Sequence, residues 1–280
     1  MDSLVSTEWL AAELGAPDLR VVDASYYLAE HGRDAAAEFA VAHIPGAVFL
    51  DLARVADTSS PFPTMLPSPE AFAGHMAALG IGDTTRIVVY DASPVRSSAR
   101  GWWMLRHFGA RDVALLDGGF QKWRAEGRPT DSGSTAPARA HFTVTAPREN
   151  VRNLAAMRTN LDSGAEQMVD ARSASRFTGE ETDPRPGVAP GHIPTSKHLH
   201  YAKLFNPDNT WKTGAALQAA FEDAGVDLSR PFVTTCGSGI TASGLLFGAH
   251  LLGAEGALYD GSWSEWGADP TTPKATGAAA

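Results

Sequence analysis

Cys236 is the only cysteine among 280 residues, and it closes a run rich in β-branched side chains, FVTTC at 232–236. Five residues follow, Gly237, Ser238, Gly239, Ile240 and Thr241, and an apolar segment with helical spacing starts at Ala242. That order predicts a strand, a tight loop and a helix. Glycines let such a loop curl so that several backbone N–H groups turn inward, and the helix N-terminus adds partial positive charge beneath them. A thiol held in this setting is expected to be largely thiolate near neutral pH. A lone cysteine is more often a small buried hydrophobe, but the glycine-lined strand-to-helix turn favours a functional thiolate. Phosphoryl chemistry is disfavoured. A cysteine phosphatase or arsenate reductase needs a guanidinium fork six residues after the nucleophile, and that position is Ala242.

Composition bounds the rest of the molecule. A length of 280 residues suggests two domains at ~150 residues each, and 44% hydrophobic content is ample for packed cores. A net charge of −9 argues against nucleic acid and anionic membrane surfaces as partners. It leaves a small anionic substrate possible, since a basic pocket can sit within an acidic chain. One cysteine rules out an intramolecular disulfide framework, and the N-terminus lacks a basic segment followed by an apolar one. The longest apolar stretch, Leu245 to Leu252, is interrupted by Gly248 and His250 and is too short to span a bilayer. A soluble, cytoplasmic protein is expected.

The elements around the thiol alternate. Ser6 to Gly15 reads as a helix, Leu19 to Ala24 as a buried strand, and Ala42 to Leu52 as a turn running into a strand. Residues 57–69 are loop. Ser68 then caps a helix with Pro69 at its first position and Gly80 past its end. Arg86 to Ala92 is a strand, GWWMLRHFG helical, VALLDGG a strand, and Phe120 to Gly127 a short helix. From Gly127 to Asn150, prolines lie among small polar residues and suggest a connection. The pattern then restarts: Val151 to Leu161 helical, QMVDARSASRF a strand, GHIPTSKHLHY a turn, Leu217 to Gly225 a helix, then the thiol loop and a closing ALYDGSWSEW. Residues 270–280 read as a frayed tail. Alternation of this kind means a parallel sheet covered by helices, an α/β fold.

The restart is a duplication. Asp23 to His43 spans 20 positions and Asp170 to His192 spans 22; His43 to Asp91 spans 48 against 44 from His192 to Cys236. Asp91 to Asp117 spans 26, and Cys236 to Asp260 spans 24. Four landmarks keep their order and near-constant spacing. Expected limits are 1–130 for an N-terminal copy, 131–150 for a linker and 151–280 for a C-terminal copy. Asp91 stands where the second copy has Cys236, and a carboxylate does not attack sulfur, so only the second copy can carry thiol chemistry.

With AHIPGA and GHIP in matching places, one cysteine loop in the second copy and a closing YDGSWSEW, the chain resembles the two-domain rhodanese sulfurtransferases over nearly its whole length. The resemblance implies tandem rhodanese-like domains, each a central parallel sheet flanked by helices. CGSGIT resembles the 3-mercaptopyruvate branch; the thiosulfate branch usually has an Arg-Lys pair where this chain has Gly237 and Ser238. It implies that Cys236 takes sulfur from a small anionic donor as a persulfide and passes it to cyanide, a small thiol or a thioredoxin-like protein. Gly237, Ser238, Gly239, Ile240 and Thr241 would line the site. Arg176 and Arg185, in DARSASRFTGEETDPRPG, match the pair that holds the donor's carboxylate and keto group. Read without the resemblance, both arginines are equally surface ion-pair partners. No metal or organic cofactor is implied, and a monomer is expected. The alternatives are a thiosulfate sulfurtransferase, or a persulfide carrier or sensor loaded by a partner protein.

The chain departs from that pattern in three places. A histidine and an aspartate that would back Ser238 as a base relay are replaced by Thr64, in SPFPTMLP, and Ala53, so no relay is assigned. Thr195 stands where a glycine usually follows the proline, and a β-branched residue resists positive φ, so a different local turn is expected there. His192, His198 and His200 lie close together, but His192 matches His43 of the first copy and points to a turn rather than a metal. Trp102, Trp103, Trp263 and Trp266 are expected in the core.

Overall fold

In the computed structural model, which describes residues 1–145 and 149–279, the β-branched runs form ten short strands in two sheets. Residues 146–148 of the expected linker and residue 280 lie outside the described residues. The first sheet contains β1 (Leu4–Val5), β2 (Leu19–Asp23), β3 (Val48–Phe49), β4 (Arg86–Tyr90) and β5 (Val113–Leu116), in the order β1-β5-β4-β2-β3. The second contains β6 (Val151–Arg152), β7 (Gln167–Asp170), β8 (Lys197–His198), β9 (Phe232–Thr235) and β10 (Ala257–Tyr259), in the order β6-β10-β9-β7-β8. The second order is the first with five added to each number. Among the described residues, the named strands of both sheets pair in parallel. β5, β7, β9 and β10 are buried at every residue, as a sheet covered on both faces requires.

Helix starts follow side-chain chemistry. Ser68 Oγ accepts from Ala71 N–H with Pro69 at the first helical position, and Asn153 Oδ1 accepts from Ala156 N–H. The latter cap corrects one expectation: Val151 and Arg152 are not helical but pair with Leu258 and Tyr259 as an edge strand. A helix at Ala35–Val41, capped by Asp34, lies between β2 and the turn that leads into β3.

The tail also differs from expectation. It is docked, not frayed: His192 and Ala275 exchange both backbone hydrogen bonds at 2.9 and 3.0 Å, and Trp266 Nε1 donates to Pro273 O at 2.8 Å. The first half does the same with the start of the connection. His43 and Asp131 exchange both bonds at 2.9 Å, and Trp123 Nε1 donates to Pro129 O at 2.7 Å. Trp102, Trp103, Trp263 and Trp266 are all buried.

Compactness divides the chain into two units, and they are not simple halves. Beside the expected limits, Ser59–Met65 belongs with the second unit and Phe205–Trp211 with the first. Each half therefore contributes one short segment to the other's unit.

Thr195 overturns the expectation of a different turn. It adopts φ 66°, matching Gly46 at φ 73°, and the two turns close with the same bond, Ala47 N to Ile44 O at 3.0 Å and Ser196 N to Ile193 O at 3.1 Å. The flanking His–Phe pairs hold both turns in place. His43 stacks on Phe39 at 4.0 Å and His192 on Phe177 at 3.8 Å, each with Nδ1 2.8 Å from that phenylalanine's carbonyl oxygen. Burial pushes His192 below the ordinary histidine range, which keeps the ring neutral. Among the described residues there is no group of three His, Cys, Asp or Glu that could hold a metal ion, and no helix is long and apolar enough to cross a membrane. A left-handed threonine costs about 1 kcal/mol. Thr195→Gly is therefore expected to raise the melting midpoint by about 2–4 °C, read by calorimetry; a lower midpoint would mean that the threonine side chain repays its strain.

Candidate active site

β9 delivers Cys236 to the end of the sheet, where the residue is only 2% exposed. Gly239, at φ 81°, reverses the loop so that its N–H donates to Cys236 Sγ at 3.1 Å. The carbonyls of residues 236–239 are all engaged. Cys236 O accepts from Trp263 N–H at 2.9 Å and Gly237 O from Ser264 N–H at 3.0 Å. Ser238 O accepts from Thr64 Oγ1 at 2.5 Å, and Gly239 O from Ser243 Oγ at 2.8 Å. The backbone N–H groups of Gly237, Ser238, Ile240 and Thr241 have no protein acceptor among the described residues. Of the several inward amides expected, one bonds the sulfur directly and the others are free for an anion, at the start of the ten-residue helix Ala242–Leu251.

Arg185 belongs to this loop. Its Nη1 donates to Gly237 O at 2.8 Å, while Nε and Nη2 each donate to Asp183 at 2.7 Å. Three of the five guanidinium N–H groups are thereby used, and two remain for a ligand. Burial pushes the Asp183 carboxyl up, but the Arg185 side chain and backbone N–H outweigh it and hold Asp183 below the usual range. The Arg176 charge acts on Asp183 in the same direction, so both arginines lie within electrostatic reach of one carboxylate. Arg176 sits on the helix Ala174–Thr178, and its Nε donates to Glu181 at 3.2 Å. Asp183 was not singled out from the sequence. The signal available was its place two residues before an arginine, where a short turn lets the carboxylate accept from the Arg185 N–H and guanidinium together.

Ser238 is 7% exposed and its hydroxyl has no protein partner among the described residues. Thr64, where the family resemblance would place a histidine, bonds the Ser238 carbonyl and so anchors the backbone rather than the hydroxyl. Ala53 lies in the first unit on the helix Leu52–Val55. Another anchor escaped the sequence reading. Ser262 Oγ accepts from Cys236 N–H at 3.3 Å and donates to Tyr259 O at 2.9 Å, with Ser262 itself at φ 49°. Its counterpart is Gly119 at φ 58°; a serine in a glycine's turn position was the readable clue. Thr64→Val removes one buried hydrogen bond worth about 1 kcal/mol and is expected to lower kcat/KM about fivefold, measured by steady-state kinetics. An unchanged value would show that the loop holds without it.

Among the described residues, the first unit has no thiol at the matching position. Asp91 occupies the cysteine position, and its two oxygens accept from Ser93 N–H and Ser98 N–H, both at 2.8 Å. Arg96, Phe205, Asn209 and Trp211 close the space to about 10 Å³.

The rhodanese-like domain model matches residues 6–126 and again residues 153–269. The 3-mercaptopyruvate sulfurtransferase of Homo sapiens is 41% identical over 271 residues, covering 94% of this chain and 91% of that protein. The thiosulfate sulfurtransferase of Bos taurus is 39% identical over 272 residues, with the same two coverages. The crystal structure of SseA from Escherichia coli, described as a 3-mercaptopyruvate sulfotransferase, aligns with a TM-score of 0.86 at 33% identity, covering 94% of this chain and 99% of that one. With a matching sheet order in both halves and the domain recognised twice, the chain belongs to the rhodanese family.

Proposed function

We propose that this protein is a 3-mercaptopyruvate sulfurtransferase working by double displacement. The Cys236 thiolate attacks the donor sulfur, a sulfur–sulfur bond forms, and the carbon–sulfur bond breaks. Its electron pair leaves as pyruvate enolate, which takes a proton from water. The persulfide left on Cys236 then gives its outer sulfur to a thiolate, to cyanide or to a thioredoxin-like protein, and the Cys236 thiolate returns. Arg185 and Arg176 bind the donor's carboxylate and keto group. The amides of Gly237, Ser238, Gly239, Ile240 and Thr241 stabilise sulfur-centred negative charge as an oxyanion hole does for oxygen. Ser238 donates its free hydroxyl to the donor or the persulfide. We further propose that the enzyme acts as a monomer and in the cytoplasm, where small thiols supply the acceptor.

The observation that carries the reading is the bond from Arg185 to Gly237 O. It fixes a guanidinium with two spare donors one residue from the nucleophile, in a loop that holds no cation of its own. Such a site suits a monoanionic keto acid better than the thiosulfate dianion. The test is intact-protein mass without an acceptor. A gain of one sulfur atom with 3-mercaptopyruvate, lost on adding cyanide, is expected, with a higher kcat/KM than for thiosulfate. A gain with thiosulfate alone would assign the donor preference of the bovine relative. No gain with either small donor, but loading by a partner protein, would make the chain a persulfide carrier.

A further inference from the structure

The first unit holds a cavity of about 470 Å³ at the carboxyl ends of its parallel strands, the place where open α/β sheets receive ligands. Asp23 at the end of β2, Ala92 after β4, Phe120, Gln121 and Arg124 on the helix Gly119–Ala125, and Tyr27 line it.

The second unit shows what this volume looks like when it is filled. Asp170 there corresponds to Asp23, Arg172 to Ser25, Trp263 to Phe120 and Ser264 to Gln121, by the same offsets from the paired landmarks. Arg172 Nη2 pairs with Asp170 at 2.6 Å and donates to Gly191 O at 2.8 Å, and the guanidinium lies 4.6 Å from the Trp263 ring centre. The Ser264 hydroxyl is satisfied by Gly261 O at 2.8 Å. That unit therefore supplies its own cation to its buried aspartate.

In the first unit the same groups are left wanting. Asp23 is 3% exposed and has no cationic partner among the described residues; it accepts from the Ser25 N–H, at 2.8 Å, and from the Ser25 and Tyr90 hydroxyls, all neutral donors. Gln121 Oε1 is buried with no hydrogen-bond partner. Arg124, at the mouth, makes no ion pair among the described residues and only faces the Phe120 ring at 5.9 Å. Arg33 does not fill the gap, because Glu38 holds it bidentately at 2.7 and 2.6 Å. A buried carboxylate and a buried carbonyl oxygen call for a cationic donor, and a guanidinium without a carboxylate calls for an anion.

We propose that this cavity binds a small zwitterion of the α-amino-acid class, with its ammonium group on Asp23 and the Gln121 carbonyl oxygen and its carboxylate on Arg124. The apolar walls of Phe120, Tyr27 and Ala92 take the side chain. Burial, which pushes the Asp23 carboxyl up to about 6, is relieved when the ammonium group arrives. The site is independent of Cys236 and of the proposed sulfur transfer.

The test is titration calorimetry of the full-length protein with each of the twenty L-amino acids. Saturable binding of at least one is expected. The corresponding amine, lacking the carboxylate, and the corresponding keto acid, lacking the ammonium group, should each bind at least about tenfold more weakly, since each loses one charge-assisted contact. Ser25→Arg, which reproduces the second unit's arrangement, should abolish binding. Arg124→Ala, at an exposed helix position, should weaken it at least about tenfold without affecting folding. No binding of any amino acid would overturn the proposal, as would binding that Arg124→Ala leaves unchanged or amine binding as tight as that of the amino acid.

Discussion

Cys236→Ser is expected to reduce sulfur transfer by at least about 10⁴-fold while leaving the protein folded. A covalent mechanism has no fallback once its nucleophile is lost, because the hydroxyl is not ionised near neutral pH and does not attack sulfur. The residual rate is that of a binding site without chemistry. The substitution is close to isosteric, and the Gly239 N–H that donates to Sγ at 3.1 Å can donate to the hydroxyl oxygen instead. Thermal stability should therefore change little, which separates loss of chemistry from loss of fold. Intact mass supplies the second readout: the wild type is expected to gain one sulfur atom from 3-mercaptopyruvate and the variant none. A variant that still turned over, or still gained sulfur, would remove Cys236 from the mechanism.

That the thiol loop could be read without coordinates has a physical reason. A β-branched strand, glycines at the reversal and an apolar helix are local signals, and each occurs within about five residues of the cysteine. The duplicated sheet was legible for a related reason, since paired landmarks keep their spacing when connections are short. Elsewhere the determining interactions are distant in the chain. β1 and β6 are two residues long, too short for any periodicity, and exist because they pair with β5 and β10. The tail reads as frayed until His192 pairs with Ala275, 83 positions later. Thr195 is held at positive φ by a turn that its own type disfavours. Thr64 is separated by 174 positions from the carbonyl it anchors. Its departure from the family pattern was visible in the sequence, but its partner was not.

Arg185→Ala is expected to raise KM for 3-mercaptopyruvate by about 10- to 100-fold, the loss of a charge-assisted fork worth about 1.5–3 kcal/mol, with a smaller effect on kcat. On the proposed role of Arg185, its two unused N–H groups would bind the donor alike before and during sulfur transfer, and uniform binding of that kind appears in KM. The substitution has a second consequence. The Asp183 side chain is only 3% exposed, and without Arg185 it becomes a buried carboxylate stripped of its guanidinium. In the wild type the depressed carboxyl contributes stability that is present above its unfolded value of about 3.9 and fades as the pH falls through its lower folded value. In Arg185→Ala, burial is opposed by less, so the carboxyl rises and the variant loses stability most at neutral pH and least in acid. Arg185→Ala with Asp183→Asn removes the uncompensated charge. It should recover much of the stability at pH 7 while leaving KM high, whereas Arg185→Lys, with its charge but no fork, should fall between wild type and alanine in KM. Recovery of KM in the double variant would mean that Arg185 only supports the loop; unchanged KM in the single variant would place the donor's carboxylate elsewhere, with Arg176 the remaining cation within reach of Asp183.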